Sequence, residues 1–128
     1  MEDNRLTAAE LLCAREYLAL PKAWLAEHVE VNLKTWWAYE AGRVRVPVRV
    51  TEAIRNLLEH TAQVVAGMTV MVSEREGPIN LATFPDSVVP NGFPASWHRM
   101  VCARVAERTG QRIVWRTDAA EVEQATAS

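Results

Sequence analysis

The stretch VNLKTWWAYEAGRVRVP, residues 31–47, decides how the first half of the chain folds. Asn32 is a strong helix N-cap, because its side-chain oxygen can accept from an amide of the first turn, and Gly42 suits the left-handed residue that ends a helix. Between them the spacing predicts a short helix from Leu33 to about Ala41. Trp36 and Trp37 stand side by side in it, and neighbouring residues on a helix point about 100° apart. A narrow core-facing stripe takes one of these rings, so the second must serve a different purpose. Residues 43–46 alternate arginine with valine, which disfavours a helix, before Pro47 opens the next one.

Working towards the N-terminus, Val29, Glu30 and Val31 read as a tight turn after a short helix. Pro21 suits the first turn of that helix, and Trp24, Leu25 and His28 follow at helical spacing to its end near His28. Trp24 is either core or a surface ring filling against the helix before it. That first helix starts at the capping-box pattern Thr7 to Glu10 and runs to Leu18, with Leu11, Ala14 and Leu18 as its inner stripe. A helix, a tight turn and a second short helix therefore follow one another.

Working towards the C-terminus, the helix opened by Pro47 turns Val50, Ile54, Leu57 and Leu58 inward. Beyond His60 the period continues weakly through Val64, Val65, Met68, Met71 and Val72, past Gly67, which weakens a helix by about 1 kcal/mol. This is either a fifth helix or a bent continuation, ending before Gly77. Residues 79–84 read as a strand and 85–94 as a loop. Residues 95–108 read as a helix with Trp97, Val101, Cys102 and Val105 on one side, closed by Gly110, and 111–116 as a second strand. The tail from Asp118, rich in Ala, Glu and Thr, is either a frayed helix or flexible. The expected class is mainly α with a small β component.

At 128 residues, with 49% hydrophobic and 23% charged residues, the chain has the stock for one domain or two very small ones. The acidic N-terminus has no apolar run behind it, and nowhere do enough apolar residues follow each other to span a membrane, so a cytoplasmic protein is expected. Cys13 and Cys102 lack a C-x-x-C spacing and read as two buried thiols. His28, His60 and His98 are scattered without a second ligand at helical spacing, so neither a metal nor any other cofactor is expected. No nucleophile elbow, phosphate loop or paired catalytic carboxylates argue for an enzyme. The net charge of −2 advertises no polyanion binder. Between residues 34 and 55, however, Lys34, Arg43, Arg45, Arg49 and Arg55 face only Glu40 and Glu52, so positive charge is local.

These features carry a resemblance. Leu20, Ala23, Leu25, Ala26, Val31, Asn32, Trp36, Tyr39, Glu40, Gly42, Arg43 and Pro47 are similar to the helix-turn-helix pattern of the Cro/cI-type repressors, the XRE family, over roughly residues 6–58. The resemblance implies a lambda-repressor-like helical bundle. It also implies an ion pair between Arg15 of the first helix and Glu40 at the end of the recognition helix, a fork that would lock the two together. The chain departs from the family at Pro21, at Lys22 and at Glu30. The last occupies a turn position where the family has glycine, which implies a different turn geometry.

The resemblance and the helical spacing agree on the two tryptophans. Trp36, with Tyr39, faces the core, and Leu33, Lys34, Trp37 and Ala38 share the opposite face, which enters the major groove in this family. An indole there can donate to a phosphate or pack on a thymine methyl, and Lys34 can reach guanine or phosphate. Lys22, Asn32, Arg43, Arg45 and Arg49 complete the expected DNA-binding set. The alternatives are that Trp37 packs on a neighbouring helix or a dimer mate, and that the arginines belong to a solvated loop.

A lone helix-turn-helix offers few contacts, so the second half is expected to dimerise the protein, with Trp97, Val101, Val105 and Trp115 at the interface. An intramolecular cap on the first half is the other reading. WHRMVCARVAERTGQRIVW, residues 97–115, as helix plus strand behind the local signature TWWAYEAGRVRVP, looks like the anti-CRISPR-associated transcriptional regulators and related small phage-borne or plasmid-borne repressors. In the C-terminal half that likeness is architectural. It implies a homodimer repressing its own operon at an inverted repeat in double-stranded DNA, some such proteins also binding RNA. The division expected is 1–62 for the DNA-binding domain, 63–117 for a dimerisation region of α+β type and 118–128 for a flexible tail. The rival functions are a protein-interaction module of antitoxin type and an RNA-binding regulator.

Overall fold

The computed structural model describes residues 3–116. The chain is mainly helical with one small sheet, and it divides into two compact units, Met1–Thr61 and Ala62–Ser128. The expected tail at 118–128 lies outside the described residues.

The first unit begins with α1, Ala8–Leu18. Thr7 and Glu10 close the capping box in both directions: the Glu10 amide donates to the Thr7 hydroxyl at 3.1 Å and the Thr7 amide to the Glu10 carboxylate at 3.0 Å. Those bonds hold the Glu10 carboxyl below its ordinary range. Leu11, Ala14 and Leu18 are the buried stripe. Cys13, read from its apolar neighbours as buried, is exposed, because two residues from Leu11 is about 200° round the helix, on the opposite side. Ala19 ends α1 in the left-handed region at φ 54°.

Helix α2 spans Lys22–His28 and α3 spans Leu33–Glu40. Pro21 stands one position before α2 rather than within it, its carbonyl accepting from the Leu25 amide at 3.1 Å. Trp24 is a half-buried surface ring, stacked on His28 with centroids 5.0 Å apart. Asn32 caps α3 through the Thr35 amide at 2.8 Å, and Gly42 follows its end at φ 76°. Helix α3 packs against both α2 and α1. Helix α4, Val48–Ser73, runs on past His60 and Gly67 as one element, so no separate fifth helix begins there, and the boundary between the units falls inside it. Its N-terminal half contributes Val50, Ile54 and Leu57 to the core of the first unit, while Leu58 is only half-buried. The Thr51 hydroxyl accepts from the Leu6 amide at 3.1 Å, and Arg55 reaches the Asn4 carbonyl, so the approach to α1 is tied to α4.

In the second unit β1, Asn80–Thr83, and β2, Arg112–Trp115, pair in parallel with Leu81 opposite Ile113 and Thr83 opposite Trp115. Parallel neighbours need a long crossover, and α5, Ala95–Thr109, supplies it and packs on both strands. Ala95, Trp97, Val101, Cys102 and Val105 form its buried side. Phe93 stacks on Trp97 with centroids 4.1 Å apart. Burial pushes the Cys102 thiol above its ordinary range, and its Sγ donates to the Ala82 carbonyl at 3.8 Å. Among the described residues no helix is long and apolar enough to cross a membrane.

Candidate nucleic-acid interface

Helix α3 has two unlike sides. Trp36 is fully buried and Tyr39 nearly so, their rings meeting edge to face at 6.4 Å. One residue further round, Trp37 is 56% exposed and Leu33 40% exposed, with Lys34 in solvent and Ala38 half-buried. Within this chain Trp37 stays out of the core, while Lys22 of the neighbouring α2 lies against its ring. The division follows from the period of the helix: positions 36 and 39 share the side that α1 and α2 cover, and positions 33, 34 and 37 share the side that they leave.

Glu40 joins the two sides. Arg15 reaches it with two donors, Nε at 2.7 Å from Oε2 and Nη2 at 3.2 Å from Oε1, the paired arrangement in which guanidinium and carboxylate match best. The buried Trp36 Nε1 donates to the same Oε2 at 2.5 Å. Lys22 Nζ stands 3.9 Å from Oε1, and the same ammonium lies 5.4 Å from the centroid of the Trp37 ring, within cation–π range. The side chain of Glu40 is only 8% exposed, so it is one buried anion with contacts to α1, to the core ring and to α2.

Around the outward side lies a concavity of about 800 Å³. Leu33, Trp37, Ala38 and Ala41 give it an apolar floor, Lys22, Lys34 and Arg43 bring positive charge to it, and Glu40, paired with Arg15, also lines it. Of the residues expected to touch DNA, the structure therefore brings together Lys22, Leu33, Lys34, Trp37, Ala38 and Arg43. The other three have duties within the chain. Asn32 Oδ1 is occupied as the N-cap, accepting from the Thr35 amide and from the Thr35 hydroxyl at 2.9 Å. Arg49 donates from Nη1 to the Val29 carbonyl at 2.5 Å, which satisfies an acceptor at the end of α2 and ties the turn to α4. Arg45 pairs with Asp3, itself bonded to Arg5 Nε at 3.1 Å, so the approach to α1 is latched to the basic loop.

The turn between α2 and α3 keeps the positive-φ conformation that a glycine would take, so the different turn geometry expected from Glu30 is not found and the residue brings local strain instead. Glu30 sits at φ 59°, in the left-handed region where a glycine is at ease, and its amide donates to the Glu27 carbonyl at 3.1 Å. Sequence reasoning missed the Lys22–Trp37 contact, Ala41 in the floor, and Asp3 beside Arg45. The first could be sought from the spacing of α2 and α3, but nothing in the sequence points to a partner as remote as Asp3.

The expected dimerisation residues need correction. Trp97, Val101 and Val105 are buried inside the second unit of a single chain, because they are the side of α5 that covers its sheet, so that surface is not open to a mate. Trp115 differs: with Ile113 it is nearly half exposed on β2, which α5 covers less fully than β1. Among the described residues no group of three or more His, Cys, Asp or Glu could hold a metal ion. Comparison of the chain with protein-family models and with curated protein sequences finds no match.

Proposed function

We propose that the chain is a sequence-specific DNA-binding transcription regulator of Cro/cI type, acting as a homodimer that represses by occupying an inverted-repeat operator. The observation that carries this reading is the two-sidedness of α3: Trp36 and Tyr39 anchor it, while Leu33, Lys34 and Trp37 face outward beside Lys22 and Arg43. A short helix held from behind, with cations flanking its open side, meets the requirements of a rod laid in a major groove, where side chains reach base edges and cations reach phosphates. Ile113 and Trp115 on β2 offer apolar surface for the mate. A regulator of this kind works in the cytoplasm, beside the DNA it controls.

Binding measured over a salt series tests the reading. With Lys22, Arg43 and Arg45 on phosphates in each protomer, Arg45 exchanging Asp3 for phosphate, six contacts per dimer give a slope of log K against log salt of about −5. Arg45→Ala removes two contacts, weakens binding to all duplexes alike and lowers the slope to about −4. Lys34→Ala and Trp37→Ala weaken binding to a duplex selected from a random library more than to unselected duplex. Binding that is indifferent to salt, or a preference for hairpin RNA over duplex DNA in competition, overturns the proposal.

A further inference from the structure

We propose that the outward side of α3 recognises C5-methyl groups of pyrimidines in the major groove, with the Trp37 ring and Leu33 as the contacting surface. This rests on the DNA-binding reading above and specifies what that site reads.

The polar side chains of α3 are largely committed elsewhere. Asn32 and Thr35 bond to each other at the cap, and Glu40 is held by Arg15 and Trp36. On α3 itself the outward side therefore has no arginine, asparagine or glutamine able to make a two-bond match to a purine edge; Lys34 is its charged head, and Arg43 joins it from the loop that follows. What it offers is apolar: Leu33, Trp37, Ala38 and Ala41 around a concavity of about 800 Å³. In the major groove the methyl at C5 is the apolar mark of a base pair, carried by thymine and equally by 5-methylcytosine. Charge supplies the complement, because Lys22 and Arg43 line the same concavity and would meet the phosphates beside such a mark. Lys22 also lies over the ring at 5.4 Å, with its ammonium 3.9 Å from Glu40, a contact that favours this placement of the indole.

The experiment begins with selection of bound duplexes from two random libraries, one ordinary and one with 5-methylcytosine in place of cytosine. Each thymine of the enriched half-site is then replaced by uracil, which removes the methyl and leaves the pairing edges alone. Each contacted methyl lost weakens binding about fourfold, and symmetric replacement in both half-sites about sixteenfold. Trp37→Ala makes the protein insensitive to the replacement. A gain of similar size from 5-methylcytosine, abolished by Trp37→Ala, with uracil harmless, also upholds the proposal and assigns the methyl to the modified base. An enriched duplex whose affinity changes by less than about 1.5-fold in both arms overturns methyl recognition and leaves DNA binding standing, since one methyl is worth more than that. No enrichment in either library overturns both. The uracil arm alters only the DNA, so no failure of a variant to fold enters it.

Discussion

Arg15→Met tests the internal anchor on which the outward side of α3 depends. The substitution keeps an apolar stem of similar length on α1 and deletes both donors to Glu40. Removing one partner of a buried ion pair costs about 3–5 kcal/mol, because the remaining charge is left without compensation. Here the loss is smaller. Arg15 is 16% exposed, Trp36 Nε1 stays on Oε2, and Lys22 stays near Oε1, so about 2–3 kcal/mol is expected. Glu40→Gln, which keeps a neutral acceptor for Trp36, costs about 1–2 kcal/mol. Independent effects would sum to about 3–5 kcal/mol, whereas the double variant has no stranded charge and loses only about 2, a coupling of at least 1 kcal/mol. Urea unfolding of the intact chain, followed by tryptophan fluorescence and far-UV circular dichroism together, reads this as a midpoint about 1 M lower for Arg15→Met, given a slope of about 2 kcal/mol per molar. Additivity within about 0.5 kcal/mol, or a midpoint for Arg15→Met equal to that of the unaltered protein, refutes the anchor.

Glu30→Gly removes a left-handed strain of about 1–2 kcal/mol while adding about 0.5–1 kcal/mol of unfolded-state freedom, so a net gain of about 0.5–1 kcal/mol in urea unfolding is expected; a loss means the Glu30 side chain does something for the turn. His98 is held below its ordinary value of 6.5, first by burial, with a backbone bond at Phe93 opposing. The unfolded chain therefore takes up this proton before the folded one, and stability falls as pH drops through about 6.5; His98→Gln flattens that fall in unfolding measured between about pH 7 and 5, and an unchanged profile excludes His98 as its source. Asp3→Asn frees Arg45 from its ion pair, so affinity for unselected duplex rises about two- to fivefold at low salt, a gain that fades as salt rises; no change means the pair does not compete with phosphate.

What was legible in the sequence was what neighbours along the chain decide. The capping box at Thr7, the cap at Asn32 and the glycines at 42 and 110 each act within one turn, so their residue types alone locate the ends of α1, α3 and α5. The division between Trp36 and Trp37 needs only the helical period. Illegible were the relations between distant segments. That β1 and β2 run parallel depends on α5 crossing between them, and that Arg49 closes the turn at Val29 or Asp3 meets Arg45 depends on the finished fold. The misplaced dimer residues have the same origin. An apolar side of a helix says that something covers it, and Trp97, Val101 and Val105 give no sign in the sequence whether the cover is a mate or their own sheet. Cys13 has apolar neighbours along the chain, but its exposure follows from its angle on α1, on the side away from Leu11.

The adjacent tryptophans are coupled rather than merely opposed. A carboxylate buried to the extent of Glu40 must be compensated from several sides, and its compensating groups come from α1, from the core ring and from α2. The cation that α2 supplies is Lys22, whose ammonium stands 3.9 Å from Glu40 Oε1 and 5.4 Å from the centre of the Trp37 ring. Replacing Glu40 by a neutral residue therefore removes more than an internal ion pair: it releases Lys22 to solvent and lets the exposed ring sample other rotamers. Loss of internal stability and loss of a defined outward surface share one cause, and variants at Arg15 and Glu40 separate them. Arg15→Met weakens the anchor but leaves Lys22 as the nearest cation to Glu40, which strengthens its hold and keeps Trp37 in place, whereas Glu40→Gln loosens both.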